Sequence, residues 1–144
     1  MNFIFEKDAE RNEIIVRAPE KTPLIEEIEK LIQNNLTELI GYNDREAVKI
    51  SASDVYCFII ENNKVYAVTE TDKYQIKQRL YQLEEILDSN FIKINQSCIA
   101  NLSKTKKFNA SFSGSLSVVF KNGYTDYVSR RSVKFIKERL GLKL

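Results

Sequence analysis

The stretch "FIKINQSCIANLSKTKKF" (Phe91–Phe108) decides the fold expected for the second half of the chain. It begins with the alternating apolar residues of a strand, and these stop at the neutral hydrogen-bonding residues Asn95, Gln96 and Ser97. A basic cluster follows, formed by three lysines: Lys104, Lys106 and Lys107. The pattern predicts that the strand ends where Gln96 can project from the sheet, close to a site for an anion.

Charge is distributed unevenly along the 144 residues. Residues 91–144 contain eleven Lys or Arg and only two acids, Asp126 and Glu138, whereas residues 1–90 contain eleven Lys or Arg and eighteen acids. This asymmetry predicts that the second part meets an anion, and nucleic acid attracts Lys and Arg through its phosphates. The alternative is a solvated basic face with no partner.

Apolar spacing predicts an α+β fold made mainly of antiparallel strands. Strands are expected at "TELIGY", "AVKIS", "FIKIN", "TKKFNASFS", "SLSVVFK" and "TDYVS", with a hairpin at "DVYCFIIENNKVYAVTE". Residues 72–87 are predicted to form a helix capped by Asp72, and a closing helix is expected between Ser129, its N-cap, and Gly141, its stop.

A small β-β-α segment is expected in front of this domain. Its strands are "NFIFEK" and "NEIIVRAP", and its helix, "PLIEEIEKLIQNNL", follows the N-cap Thr22 and has an apolar face that ends with Leu36. The boundary is placed near residue 40, which gives a segment at 1–40 and a domain at 41–144. Because the segment is too small to hold much core, we expect it to serve in dimerisation or regulation.

Several classes of protein are excluded by composition. No apolar run approaches the roughly 20 residues that span a bilayer, and no secretory signal is present, so the cytoplasm is the expected location. The chain has no His, no glycine-rich phosphate loop and no serine-nucleophile elbow, so we expect no enzyme, no cofactor and no metal site. Cys57 is expected to be buried, and Cys98 is a candidate reactive thiol.

The polar residues of the quoted stretch are candidates for contact with nucleic acid. Gln96 suits a bidentate contact with adenine, Ser97 can donate to a phosphate, and the three lysines add positive charge. For Asn95 and Asn101 the alternative is a turn residue that satisfies the backbone.

Arg130 and Arg131 form a second candidate cluster in the first turn of the closing helix. Their charge opposes the helix dipole there, so a partner anion explains them better than local stability does. Lys134 faces outward on the same helix, while Val133 and Ile136 face inward.

From about residue 40 to the end, the sequence resembles the LytTR family of bacterial DNA-binding domains. "FIKINQSCIANLSKT" resembles the family's pattern of strand, polar residue, Ser, apolar pair and Asn. "LSVVFKNGYTDYVSRRSVKFIKERLGL" resembles its closing hairpin and helix. The resemblance implies a mostly β domain that reads successive major grooves of double-stranded DNA with loops, in a sequence-specific transcription regulator.

The resemblance also implies which positions contact bases. These are Gln96, then Arg131 with Arg130 as its neighbour, and a residue of the first hairpin turn, Asn63 or Lys64. No phospho-receiver domain is expected in residues 1–40, so control by aspartyl phosphorylation is not expected. The short front segment is similar to that of stand-alone regulators often encoded beside a small membrane protein, and the resemblance therefore adds such a membrane protein as a candidate partner. A homodimer is expected separately, from the apolar face of the front helix.

Two alternatives remain open at this point. An RNA-binding or ribosome-associated protein would need exposed paired aromatics on a sheet, whereas Phe108, Phe112 and Phe120 alternate as core residues do. A small-molecule-binding module or enzyme would need a large apolar pocket with convergent polar groups.

Overall fold

The computed structural model describes residues 2–11, 13–36 and 38–144. Met1, Asn12 and Thr37, which the predicted segments include, lie outside the described residues, as do the side chains of residues 33–36 and with them the predicted apolar position Leu36. The helices are α1 Pro23–Leu36, α2 Leu80–Ile86 and α3 Arg130–Leu140. Short 3-10 helices lie at Ala52–Asp54 and Leu102–Lys104.

The described strands form two antiparallel sheets, as the fold-class prediction requires. The larger has seven strands in the order β2-β1-β5-β4-β3-β7-β6: β1 Glu38–Tyr42, β2 Ala47–Ser51, β3 Cys57–Glu61, β4 Lys64–Val68, β5 Lys73–Ile76, β6 Phe91–Asn95 and β7 Cys98–Asn101. The smaller has three strands in the order β10-β9-β8: β8 Thr105–Ala110, β9 Leu116–Phe120 and β10 Thr125–Val128.

Alternation along β3 shows why the larger sheet is covered on both faces. Cys57 and Ile59 point into a core shared with the smaller sheet and with Ile136 of α3. Phe58 points into a second core, which includes Leu83 of α2. Successive strand residues face opposite sides of a sheet, so one apolar run fills both cores.

Two hydrogen bonds fix the relative direction of the two sheets. The backbone N–H of Ser129, just after β10, donates to the carbonyl oxygen of Ile94 in β6 at 2.8 Å. At the opposite end, the Asn122 side chain donates to the carbonyl oxygen of Thr69 at 3.0 Å. The turns at 62–63, 96–97 and 111–115 and the start of α3 at 129–131 therefore lie at one end of both sheets, which we call the loop end. The turns at 69–72 and 121–124 lie at the far end.

The two predicted strands of the front segment are wrong. Residues 2–11 and 13–22 contain no strand, and Phe3 and Phe5 are 92% and 80% exposed. Apolar residues occur there in uninterrupted runs, 3–5 and 14–16, without alternation. Strand propensity reflects fit to a paired, half-buried surface, and the described chain supplies no neighbouring strand for either run.

The helix predicted for residues 72–87 is wrong in its first half. Lys73–Ile76 is β5, which pairs with β4, and α2 begins only at Leu80. Asp72 lies in the β4–β5 turn, where its carbonyl oxygen accepts from the Thr69 N–H; the cap belongs to Arg79, whose N–H donates to the Gln82 side chain at 2.9 Å. Tyr74 and Ile76 fit a period of two as well as a helix, and pairing with β4 decides between them.

The interpretation of Phe112 as a core residue is also wrong. Phe120 is fully buried and Phe108 is half-buried, but Phe112 is 114% exposed, since β8 ends at Ala110 and Phe112 lies in the following turn. The closing helix is as predicted: Ser129 is its N-cap, and Gly141 ends it with φ +66°.

Candidate nucleic-acid interface

Gln96 and Ser97 form the two-residue turn of the β6–β7 hairpin at the loop end, and both are exposed. The end of β6 is as predicted, whereas β7 was not predicted as a strand of its own. Asn95, which is buried, shapes the turn: its Oδ1 accepts from the Ser97 backbone N–H at 2.8 Å. Gln96 is therefore held on a rigid hairpin with its amide available to a ligand.

Asn95 also ties this hairpin to the smaller sheet. Its Nδ2 donates to the carbonyl oxygen of Tyr127 at 2.8 Å and to Oδ1 of Asp126 at 3.0 Å. Asn101, at the other end of β7, satisfies the backbone in the same manner by donating to the Val55 carbonyl oxygen at 2.8 Å. The turn-residue interpretation of both asparagines is confirmed, but the cross-sheet role of Asn95 had no signal in the sequence, since its partners lie more than 30 residues away.

The start of α3 lies beside the Gln96 turn because of the Ser129–Ile94 hydrogen bond. Arg130, Arg131 and Lys134 are exposed, and among the described residues none of the three forms an ion pair. Val133 and Ile136 pack into the core as predicted, so the helix cannot rotate to hide the arginines. Two uncompensated guanidinium groups are thus fixed at a helix N-terminus, which is itself positive.

The β3–β4 turn completes the loop end. Asn62 and Asn63 have φ of +51° and +62°, the left-handed geometry of a tight two-residue hairpin that Asn tolerates. The Ile60 N–H donates to the carbonyl oxygen of Ser97 at 2.9 Å, so this turn and the Gln96 turn are neighbours. Asn63 and Lys64 are both exposed there.

The lysines of the basic cluster are not brought together at one place. Lys104 lies at the far end, half-buried, with its ammonium 5.4 Å from the centre of the Tyr56 ring. Lys106 and Lys107 are exposed on β8, where the register with β9 shifts between Thr105 and Lys107. Only these two of the three therefore present free positive charge along the smaller sheet toward the loop end.

The reactivity of Cys98, which the sequence leaves open, is disfavoured by the position of its thiol. Cys57 and Cys98 are both fully buried free cysteines on adjacent strands. A hydrogen bond with Cys57 and burial raise the pKa of the Cys98 thiol far above its usual range, which suppresses the nucleophilic thiolate.

Neither metal ligation nor membrane insertion has support in the described residues. No group of three or more Cys, Asp or Glu is placed to hold a metal ion in that part of the chain. None of its helices is long and apolar enough to cross a bilayer. The grooves that are present are open, and the one at the loop end is lined in part by Ser111, Ser115, Ser129 and Arg130.

Comparison with known proteins gives a consistent result. Residues 45–141 match the family model described as the LytTr DNA-binding domain. Two relatives from different strains of Staphylococcus aureus, both named uncharacterized HTH-type transcriptional regulator, are 33% and 36% identical; the alignments cover 99% and 97% of this chain and 98% and 96% of theirs. A solved structure from Bacillus cereus, described as a LytTr DNA-binding domain, matches with a TM-score of 0.69 at 20% identity, covering 74% of this chain and 98% of that one.

The geometry differs from what the relatives' printed names suggest. Throughout the described residues, strands separate each helix from the next, so α1, α2 and α3 form no helix-turn-helix pair. The exposed polar groups at the loop end lie instead on three hairpin turns and one helix start.

Proposed function

The chain belongs to the LytTR family of DNA-binding domains, and from this we propose that it is a transcription regulator that recognises double-stranded DNA with its loop end. The comparisons give no support to the RNA-binding alternative. One observation carries the assignment of the surface: three separate elements present exposed Gln96, Arg131 and the Asn63–Lys64 turn side by side. Each of these side chain types can read a base edge or hold a phosphate in the major groove.

Arg131 is assigned a bidentate contact with guanine and Gln96 a contact with adenine, because these are the pairings that their donor and acceptor groups fit. The position of Arg131 supports this, since no carboxylate of the described chain neutralises it. Asn63 or Lys64 contributes a third contact from the neighbouring turn.

The remaining candidate residues are assigned to the DNA backbone. Ser97 and Arg130 flank the proposed base-reading groups, and Lys106, Lys107 and Lys134 extend positive charge away from them on β8 and α3. Lys104 is the weakest member of this set, because it lies at the far end against Tyr56. Phosphate contacts position a protein on the duplex, whereas base contacts specify the sequence.

Residues 1–40 are assigned to assembly. The runs at 3–5 and 14–16 expose apolar side chains, and Ile14 and Val16 with α1 border a groove of about 320 Å³. Acids outnumber bases in this segment, so it would repel phosphate. We assign the occupant as a second copy of the chain, which gives a dimer on paired or repeated DNA sites. A small membrane protein is the alternative occupant.

Because chromosomal DNA is the proposed ligand, we assign the protein to the cytoplasm of a bacterium. The test is selection of binding sites from a randomised duplex pool, followed by titration of the selected duplex at several salt concentrations. If about six phosphates are neutralised, log Kd should change with log salt with a slope near 5 in magnitude. Failure to enrich any sequence would contradict base reading, and a slope near zero would contradict the basic surface.

A further inference from the structure

Phe112 is the most exposed large apolar residue of the described chain. Its exposure of 114% means that the ring is more accessible than in an extended reference peptide, and it belongs to neither apolar core. A phenyl ring in this position contributes nothing to folding and loses the free energy that burial would give it. A single exposed apolar side chain is common on soluble proteins, so the surroundings of Phe112 decide what it can do.

The turn that carries Phe112 is ordered by its own hydrogen bonds. The Ser111 N–H donates to the Ser115 carbonyl oxygen at 3.0 Å, and the Gly114 N–H donates to the Ser111 carbonyl oxygen at 3.1 Å. The hydroxyls of Ser111 and Ser115 lie 2.5 Å apart, and Gly114 has φ +84°. The serine hydroxyls thus bond with one another within the turn, and the turn leaves Phe112 exposed.

The Phe112 turn lies at the loop end, beside the arginines. The register of β8 with β9 and of β9 with β10 places Ala110, Leu116 and Val128 at the same level. Ser111 and Ser115 share one groove of about 480 Å³ with Ser129 and Arg130. The ring therefore projects from the surface that the proposed function assigns to DNA.

The charge of the surrounding residues indicates which kind of ligand the exposed Phe112 ring contacts. Between Phe91 and the end of the chain there are only two acids, and one of them, Asp126, accepts from the Asn95 amide and from the Tyr127 N–H. Lys107 lies on the same hairpin and Arg130 lines the groove, and neither forms an ion pair within the described residues. An apolar ring on a surface that carries such cations fits a polyanion with apolar faces at its centre, which describes stacked bases behind phosphates.

We propose that Phe112 inserts against the bases of the bound duplex, as an apolar wedge at a base step next to the bases contacted by Arg131. The inference rests on the proposed DNA surface and adds to it a contact that no charge and no hydrogen-bonding group supplies. In proteins that bind the minor groove, apolar wedges partly unstack a base step, and contact between an aromatic ring and a base tolerates any base because every base has a π-face.

The experiment compares four full-length proteins on one selected duplex: wild type, Phe112→Ser, Phe112→Leu and Tyr81→Ala. Tyr81 is another exposed aromatic, on α2, and serves as the matched control. We expect Phe112→Ser to weaken binding about tenfold without changing the salt slope, because no charge is removed. Phe112→Leu should recover most of the affinity, and Tyr81→Ala should bind as wild type.

A second readout locates the ring on DNA. Duplexes with 2-aminopurine at successive positions should brighten at one step when wild type binds, and Phe112→Ser should abolish that signal at saturating protein. Equal affinity and equal fluorescence for Phe112→Ser and wild type would contradict insertion of Phe112 against the bases. The ring would then be assigned to contact with a protein partner. Failure of wild type itself to bind any selected duplex would overturn the proposed function instead.

Discussion

Replacing Asn95 by Asp tests whether one buried amide holds the two halves of the loop end together. The substitution is isosteric and keeps the oxygen that accepts from the Ser97 N–H. It replaces the amide nitrogen, which donates to the Tyr127 carbonyl oxygen at 2.8 Å and to Asp126 at 3.0 Å, by a carboxylate oxygen. Two hydrogen bonds become two contacts between oxygen atoms, one of them between like charges.

Each buried hydrogen bond that is lost with its partner left unsatisfied costs about 1–3 kcal/mol. Asp126 is half exposed and its share is screened, so the expected loss for Asn95→Asp is about 2–4 kcal/mol in the free energy of unfolding. For a chain of this length that corresponds to a drop in Tm of about 5–15 °C.

Urea unfolding followed by circular dichroism measures the stability effect, and Gln96→Ala is the matched control. Gln96 adjoins Asn95 but is exposed, so its variant should stay within about 0.5 kcal/mol of wild type while losing DNA specificity. If Asn95→Asp unfolds at the same urea concentration as Gln96→Ala, the cross-sheet tie does not stabilise the fold and the reasoning fails. At temperatures where Asn95→Asp remains folded, its specific DNA binding should still be weaker, because the Gln96 turn and α3 are no longer held in register.

Four further predictions concern separate parts of the molecule. Arg131→Ala should cost about 1–3 kcal/mol in specific binding and relax the preference at one base pair, whereas Lys106→Ala should weaken specific and non-specific duplexes alike and reduce the salt slope by about one; the ratio of the two affinities at fixed salt distinguishes these roles. Arg130→Glu should raise stability by up to about 1 kcal/mol in thermal unfolding, since an acid suits a helix N-terminus, and should nevertheless abolish DNA binding. Gly41→Ala should destabilise the larger sheet by about 1–3 kcal/mol, because a Cβ there would meet the side chains of Ile50 and Tyr74. Unfolding of this variant at the same urea concentration as wild type would show that the two side chains can move aside. Phe5→Ser should lower the self-association measured by sedimentation without altering the unfolding transition, and unchanged association would contradict the assembly role of the front segment.

The β framework of residues 41–144 could be predicted because its signals are local. The Asn-Asn turn between β3 and β4, the Asn122-Gly123 turn and the Ser129 and Gly141 ends of α3 each specify geometry within a few residues. In the front segment, α1 was predicted with its observed bounds, Pro23–Leu36. The two predicted strands of that segment were wrong, because consecutive apolar residues indicate only that a partner is needed and do not identify it. The short apolar pattern of β5 fits both periods, and only its pairing with β4 and β1 selects the strand.

The positions of the candidate contacts could be predicted, whereas the way in which they are held could not. Gln96 and Arg131 became candidates because of residue type, strand end and helix start, all of which are local, and their contact with DNA stays a prediction. The hydrogen bonds that bring them together join Ile94 with Ser129 and Asn95 with Tyr127, across more than 30 residues. No periodicity in the sequence indicates a hydrogen bond between residues so far apart. The position of Lys104 at the far end likewise depends on how distant elements pack together, which the sequence pattern does not show.

The loop end divides its hydrogen-bonding groups by function. Backbone groups and the buried Asn95 amide form hydrogen bonds with one another and fix the distances between elements. Gln96 is exposed, and the two arginines of α3 form no ion pair in the described structure. A side chain that makes no contact within the fold breaks no internal interaction when it binds a ligand. A group that is already fixed in place also loses less conformational entropy on binding. The arginines oppose the helix dipole at a cost of about 0.3–1 kcal/mol each, so the stability of the isolated fold does not account for them. A complex with a polyanion does, because its charge offsets theirs at this helix start.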